Sequence, residues 1–478
     1  MITIILLLST IMLFVDLKEF GGEHAKKLFS KLAPKNWKTT FCLADLAVII
    51  FWIICLISTL QSKYLFEAFW GNEGRYSGLF LITLYVAFYF IISRFWKAKS
   101  WILQLFLISG MIMCYIGITD YFQMDILNFR GKIKPEQSTM FTSTVGNINT
   151  YTAYVAILMG FATALFATAK NKLVSVWYYI CMVVTFFAII MGCSDNAYLA
   201  IGALFAFLPF MLFRNRQGVL RYLIILATFM TVIQCIDWIN QKFANVVIGL
   251  DSLFNLMVNF GGLMIIVIGL WILAAAFYFF VCKGKNDNPE LGRRLVYCWT
   301  ALMMFGILVV CFMLFDANVA GNGTRYGSLG KYLVFSDAWG TNRGYIWRKS
   351  FELYQEFPIM KKIFGYGPDT FGILTVRNFR GEMTEVTGQV FDSAHNEYLQ
   401  FLVTIGLFGV IAYMTFLISS CYRMIKNNAK NPLILGCLCA VLCYAFQAIV
   451  NLNLPIATPM MWLLLSAGVS MCKDKKLQ

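Results

Sequence analysis

The chain has 478 residues, 60% hydrophobic and 13% charged, where a soluble globular chain carries about 25% charged residues. This balance excludes an ordinary soluble domain, because apolar runs of roughly 20 residues, long enough to cross a hydrocarbon core of about 30 Å, recur along the length. The formal net charge of +15 does not point to nucleic acid, since the basic residues cluster between apolar runs, where topology signals sit and anionic lipid is met.

In chain order the apolar runs fall near 2–16, 41–60, 78–94, 101–119, 150–169, 174–193, 196–213, 219–237, 257–281, 295–315, 397–417, 432–450 and 458–472. They predict an all-α polytopic membrane protein of about 12–13 transmembrane helices. Residues 2–16 lack a basic leader and a small-residue cleavage site, so they read as a first membrane helix rather than a signal peptide. Alternate short loops carry 24 cationic residues and the opposite short loops carry 6. The cation-rich set is expected in the cytoplasm, which places the N-terminus and the long segment 316–396 outside. The expected organisation is an N-terminal membrane bundle over 1–315 with about ten spans, a large extracytoplasmic loop over 316–396, and C-terminal membrane helices over 397–478.

The loops between spans carry the polar chemistry. Segment 61–77 is polar and aromatic, 120–149 holds Asp120, Asp125, Arg130, Lys132 and Lys134, and a tight outer turn holds Ser194, Asp195 and Asn196. The long loop opens Gly- and Asn-rich, as irregular backbone does. In 343–356, Trp347, Phe351, Leu353 and Tyr354 fall at helical spacing, with Pro358 closing the run. This predicts an amphipathic helix on the membrane surface or on the bundle. A turn at Gly365 and Gly367 follows, then a mixed segment to Ser393.

The membrane interior holds few ionisable groups, Asp45 being the clear one and Asp195 lying near an end. Ion-coupled carriers place several such groups at mid-membrane, so this pattern disfavours one. None of the 14 cysteines lies in 316–396 and no CxxC pair occurs. The cysteines therefore read as small apolar side chains rather than disulfides or metal ligands.

On the outer face the useful groups are Arg75, Arg325, Arg343, Arg348, Arg377 and Arg380, with one histidine, His395. Arginine presents a permanently charged fork that suits phosphate oxygens. Histidine exchanges protons near neutral pH. Together they suit group transfer from a lipid-linked diphosphate, with cationic donors meeting charge on the leaving group. Taken singly, each has a plainer structural reading: arginines as interfacial anchors, His395 as a helix cap, Asn147 and Asn149 as capping residues, and Gly365 and Gly367 as turn glycines.

The segment from Arg343 to Gly409 runs R-G-Y-I-W-R-K-S-F, then P-I-M-K-K-I-F-G-Y-G-P, then D-S-A-H-N-E-Y-L-Q-F-L-V-T-I-G-L-F-G. It resembles the signature region of the O-antigen ligase and polymerase superfamily over about 65 residues. Two shorter patches, 74–78 and 146–154, resemble it too. The resemblance implies a GT-C-like helical bundle and a glycosyltransferase acting on undecaprenyl diphosphate-linked glycans at the outer face of a bacterial plasma membrane. It further implies inversion at the anomeric centre and no metal or other cofactor. By matching position it assigns diphosphate binding to Arg343 and the essential histidine to His395. Arg75 and Arg348 are further phosphate candidates, and Asn396 and Tyr398 are candidate supports around the histidine. The sequence departs from the ligase pattern at Ser194, Asp195 and Asn196, where a Ser-Arg-Gly segment is usual. Asp195 would repel a diphosphate, so it is a candidate to bind the acceptor or act as base. Expected partners are the lipid-linked glycan, a glycan, lipid or protein acceptor, and the bilayer. Within the superfamily a ligase and a repeat-unit polymerase both fit, and a non-enzymatic lipid-linked glycan flippase is the alternative outside it.

Overall fold

The computed structural model describes residues 2–19, 21–23, 26, 41–96, 100–129, 131, 133, 140–250, 252–283 and 291–472. His24 and the cationic residues at 27–38, 97–99, 130–134, 285 and 473–476 lie outside the described residues. The helices are α1 (Ile2–Glu19), α2 (Leu43–Leu60), α3 (Leu65–Trp70), α4 (Leu79–Phe95), α5 (Ser100–Tyr121), α6 (Ile148–Thr168), α7 (Lys172–Met191), α8 (Asn196–Leu212) and α9 (Arg216–Lys242). They continue as α10 (Ser252–Val258), α11 (Leu263–Phe277), α12 (Arg294–Asn318), α13 (Trp339–Glu356), α14 (Ile359–Phe364), α15 (Phe371–Thr387), α16 (Glu397–Asn427), α17 (Pro432–Gln447) and α18 (Thr458–Met471). Two-residue strands at Phe141–Thr142 and Gly146–Asn147 pair antiparallel just before α6.

Among the described residues nine helices are long and apolar enough to cross a membrane, and α4, α8 and α18 are shorter apolar helices. The fold is therefore an all-α polytopic membrane protein, as composition and periodicity predict. One expected span starts later than its apolar run and another is broken. The run at 257–281 is a single span from Leu263 to Cys282 that begins after Gly261 and Gly262, glycine being the poorest helix former after proline. The run at 397–417 is α16, with a break at Gly406, whose φ is +71°.

The chain divides into two compact units. One comprises Ala98–Phe335 and Ile425–Asn451. Its centre is α6, buried at every position from Thr150 to Ala167 and packed along α17. Small residues allow the close approach: a side chain at Gly160 would meet the Cys439 carbonyl oxygen at 2.6 Å, and one at Gly436 would meet the Phe161 ring at 2.8 Å. Cys437, Cys439 and Cys443 are buried in this seam as small apolar side chains. By contrast, the most apolar stretch of α12 has no buried residue.

The other unit comprises Met1–Lys97, Ser336–Met424 and Leu452–Gln478. In it α13 is regular from Arg343 onward, after Gly340, Thr341 and Asn342 turn through left-handed conformations. The segment from 369 to 393, which looked mixed, contains α15. Its buried residues are Phe371, Gly372, Leu374 and Thr375 at its start and Met383 further along, and Gly388 ends it in the left-handed conformation with its N–H on the Thr384 carbonyl at 3.0 Å. Tyr345, Ile346 and Leu353 of α13 pack with Phe371, Leu374 and Met383 of α15, and with Leu399 and Val403 of α16.

Candidate active site

The site is assembled from three segments of the second unit. The first is the loop joining α3 to α4. Its ends cross at Gly71 and Gly78, where a side chain on Gly78 would collide with the Gly71 nitrogen and the Phe69 carbonyl. Asp369 closes the loop from outside: one carboxylate oxygen accepts the Asn72 N–H at 2.7 Å and the Ser77 N–H at 3.0 Å. Arg75, between those two anchors, donates Nε and Nη2 to the two carboxylate oxygens of Asp392 at 3.0 and 2.6 Å, and Nη2 also reaches Ser393 Oγ at 3.2 Å. This is the forked pairing that arginine geometry favours.

The second segment is the turn from Phe364 to Thr370, laid across the break in α16. Gly365 has φ +71° and Gly367 φ +120°, conformations that glycine adopts without a Cβ penalty. Gly365 and Gly406 lie back to back, so a side chain on Gly365 would strike the Thr404 carbonyl and one on Gly406 would strike the Ile363 carbonyl. At the break the Thr404 carbonyl accepts the Gly367 N–H at 2.8 Å and the Ser58 hydroxyl at 3.1 Å. Broken helices are tolerated at membrane depth where such partners satisfy the freed groups.

The third segment carries His395, at φ +47°. Its backbone is fixed on both sides. The Ala394 N–H is donated to Gln400 Oε1 at 3.0 Å, and the Ala394 carbonyl accepts Trp347 Nε1 at 2.8 Å. Asn396 caps α16, its Oδ1 accepting the Leu399 N–H at 3.0 Å. The cap is thus Asn396, and the imidazole of His395 is left for other work. The ring stands edge-on to Phe391 at 6.0 Å. Its Nδ1 is buried and has no hydrogen-bond partner among the described residues.

Electrostatics tie these parts together. Burial, then the positive charges of Arg343 and Arg75, push His395 down to about 4, with Asp392 partly offsetting them. The imidazole is therefore neutral at neutral pH. Arg343 is itself buried, and its Nη1 donates to the Gly340 carbonyl at 3.0 Å. Burial raises Asp369 to about 6, against the two backbone N–H donors that favour its charged form.

Of the residues named from sequence, His395, Arg343 and Arg75 come together. Arg348 does not join them: it is held by Asp337 at 2.7 Å and Glu352 at 2.7 Å. Tyr398 faces inward on α16, its ring 6.4 Å from that of Tyr413. Asp195 belongs to the other unit, at the start of α8. Its neighbours there form an amide and hydroxyl network in which Ser194 Oγ donates to Asn149 Oδ1 at 2.5 Å and Asn196 Nδ2 donates to the Asn149 carbonyl at 2.9 Å and to Gln447 Oε1 at 3.2 Å.

Sequence reasoning missed Asp369, Asp392 and Glu397. Glu397 is fully buried and accepts from the Tyr413 hydroxyl at 2.6 Å and from Asn453 Nδ2 at 3.3 Å. With Asp369, Ser77 and Gln400 it lines a cavity of about 30 Å³. Proximity to the Gly-Tyr-Gly-Pro turn was the one local signal for Asp369; Asp392 gains its meaning from Arg75, 317 residues away.

No curated protein matches the chain. Residues 246–414 match the family described as O-antigen ligase, a stretch that takes in Arg343, Asp369, Asp392 and His395. Over this stretch, about a third of the chain, the protein is similar to the O-antigen ligases, which supports a ligase- or polymerase-like part in polysaccharide biosynthesis.

Proposed function

We propose that the protein transfers a glycan from a polyprenyl diphosphate to an acceptor hydroxyl at the outer face of a bacterial plasma membrane. The observation that carries this reading is an imidazole whose buried Nδ1 has no hydrogen-bond partner among the described residues and which lies in the field of two guanidiniums. Arg343 and Arg75 hold the diphosphate, and His395 takes the proton of the incoming hydroxyl. Segment 316–396 is the extracytoplasmic part that carries most of this machinery.

In the transfer step the acceptor oxygen bonds to the anomeric carbon while that carbon's bond to the diphosphate oxygen breaks. The electron pair of the broken bond leaves with the diphosphate, and the hydroxyl proton passes to His395. Attack opposite the leaving group inverts the anomeric centre. Charge that grows on the diphosphate is met by the two guanidiniums, the role a divalent ion fills in other phosphate sites, so the reaction is proposed to need no bound metal. An imidazole near 4 is a weak base in the empty site. The arriving diphosphate cancels the arginine charges that depress it, and His395 becomes a better base once the donor is seated. Arg75 exchanges part of its bond to Asp392 for phosphate oxygens; the Asp392 side chain is 51% exposed and free to turn to water.

The test supplies purified protein in lipid with a polyprenyl diphosphate-linked glycan and a panel of acceptors. Release of free polyprenyl diphosphate and the product mass are followed for the wild type and His395→Ala. Release that disappears in His395→Ala, with the melting temperature retained, supports the transferase. A single addition marks a ligase and a ladder marks a repeat-unit polymerase. Movement of intact donor across the bilayer with no release would replace the reading with a flippase.

A further inference from the structure

A second built feature lies in the unit of Ala98–Phe335 and Ile425–Asn451, apart from the His395 machinery. Pro209 sits inside α8, where its ring nitrogen cannot donate to the carbonyl four residues back. That carbonyl, of Phe205, accepts the Tyr222 hydroxyl at 3.1 Å instead. The next carbonyl, of Ala206, accepts Trp299 Nε1 of α12 at 2.9 Å. The indole thus fastens the beginning of α12 to α8, although the most apolar stretch of α12 has no buried residue.

Beside this junction is an apolar cavity of about 340 Å³. Phe207, Phe210 and Met211 of α8, Val296 of α12, and Leu435, Leu438 and Leu442 of α17 form its walls, and Arg214 is its one charged lining residue. The volume falls within the roughly 300–1,000 Å³ of ligand pockets. Two further cations belong to the same end: the Leu291 N–H bonds the Arg214 carbonyl at 2.7 Å, and Arg293 and Arg294 follow at the start of α12. All three arginines are exposed.

An apolar slot between membrane-spanning helices, closed at one end by arginine, complements a molecule with a hydrocarbon tail and an anionic head. We propose that this cavity binds an anionic phospholipid of the bilayer. One acyl chain lies between α8, α12 and α17, and its phosphate meets Arg214. The seated chain gives α12 an apolar neighbour at the end where it is fastened.

The test places the protein in nanodiscs of equal phosphatidylglycerol and phosphatidylcholine and counts the lipids retained on release by native mass spectrometry. Phosphatidylglycerol is expected in preference to phosphatidylcholine, and Arg214→Gln, at an exposed position, should reduce the preference about fivefold, the effect of roughly 1 kcal/mol per arginine. Leu442→Trp, which fills the slot, should remove the retained lipid whatever its head. Equal retention of both lipids, or a preference that Arg214→Gln leaves intact, overturns the proposal. So does a dimer in detergent that Leu442→Trp dissociates, because a second copy would then be the occupant.

Discussion

His395 combines a left-handed backbone, a buried Nδ1 and two cationic neighbours, a costly arrangement for a residue whose only task is capping. Its titration gives a directional prediction. kcat/KM should hold steady from neutral pH downward and fall only as pH approaches about 4, where the free site protonates. The acid limb of kcat should lie at higher pH, since that constant reports the donor-bound state, in which diphosphate offsets Arg343 and Arg75. Coincident limbs for the two constants would refute diphosphate binding by these arginines. Asp369 is shifted the other way, raised to about 6 by burial. Its folded form binds the proton more tightly than the unfolded chain does. The stability this contributes is complete below the usual aspartate value and is lost as pH rises through about 6. Asp369→Asn should therefore gain on the wild type as pH rises from 4 to 8, by on the order of 3 kcal/mol for a two-unit shift. Melting curves at the two pH values check it; a difference independent of pH would refute it. His395 and Arg343 were legible because each stands in a motif of fixed spacing. The salt bridge that aims Arg75 was not, because its halves lie 317 residues apart and neither has a local signature.

At the scale of elements, helix positions followed from apolar runs, because a helix that faces lipid or packed neighbours must be apolar over its whole length. The departures have local causes. A glycine pair delays the start of one span and a single glycine breaks another, and α15 was hidden because few of its residues are buried and most of those lie at its start. The break at Gly406 determines how the turn with Gly365 can dock. Gly406→Ala combines a positive φ with a collision against the Ile363 carbonyl. It is expected to destabilise by several kcal/mol, above the roughly 1–3 kcal/mol of left-handed strain alone, and a melting temperature equal to the wild type would contradict the docking. Trp347→Phe keeps the packing of α13 but removes the bond to the Ala394 carbonyl. The loss in stability should be about 1 kcal/mol, whereas transfer should slow on the order of tenfold to a hundredfold as His395 drifts. A rate loss no larger than the stability loss would show that the indole only packs.

For the whole molecule, composition alone settled the solvent: with 60% hydrophobic residues in repeated runs, the chain belongs in a bilayer. The cationic loops further predict sidedness. A protease site inserted after Gln389, in the exposed stretch beyond α15, should be cut from outside intact cells, and one inserted after Arg214 only after the membrane is opened. The reverse pattern would invert the proposed topology. What the sequence by itself determined was the helical class and the places of the apolar helices, because each depends on interactions within a few turns of chain; the two residues that short motifs mark were its candidates for the site. Tertiary structure decided which arginine stands by His395, since Asp337 and Glu352 hold Arg348 while Asp392 turns Arg75 toward the histidine. It also decided that Asp369 fastens the loop of Arg75 and that Arg214 lines an apolar cavity. Each of these joins residues tens to hundreds of positions apart, and only the folded chain brings such residues within reach of a hydrogen bond or a shared cavity.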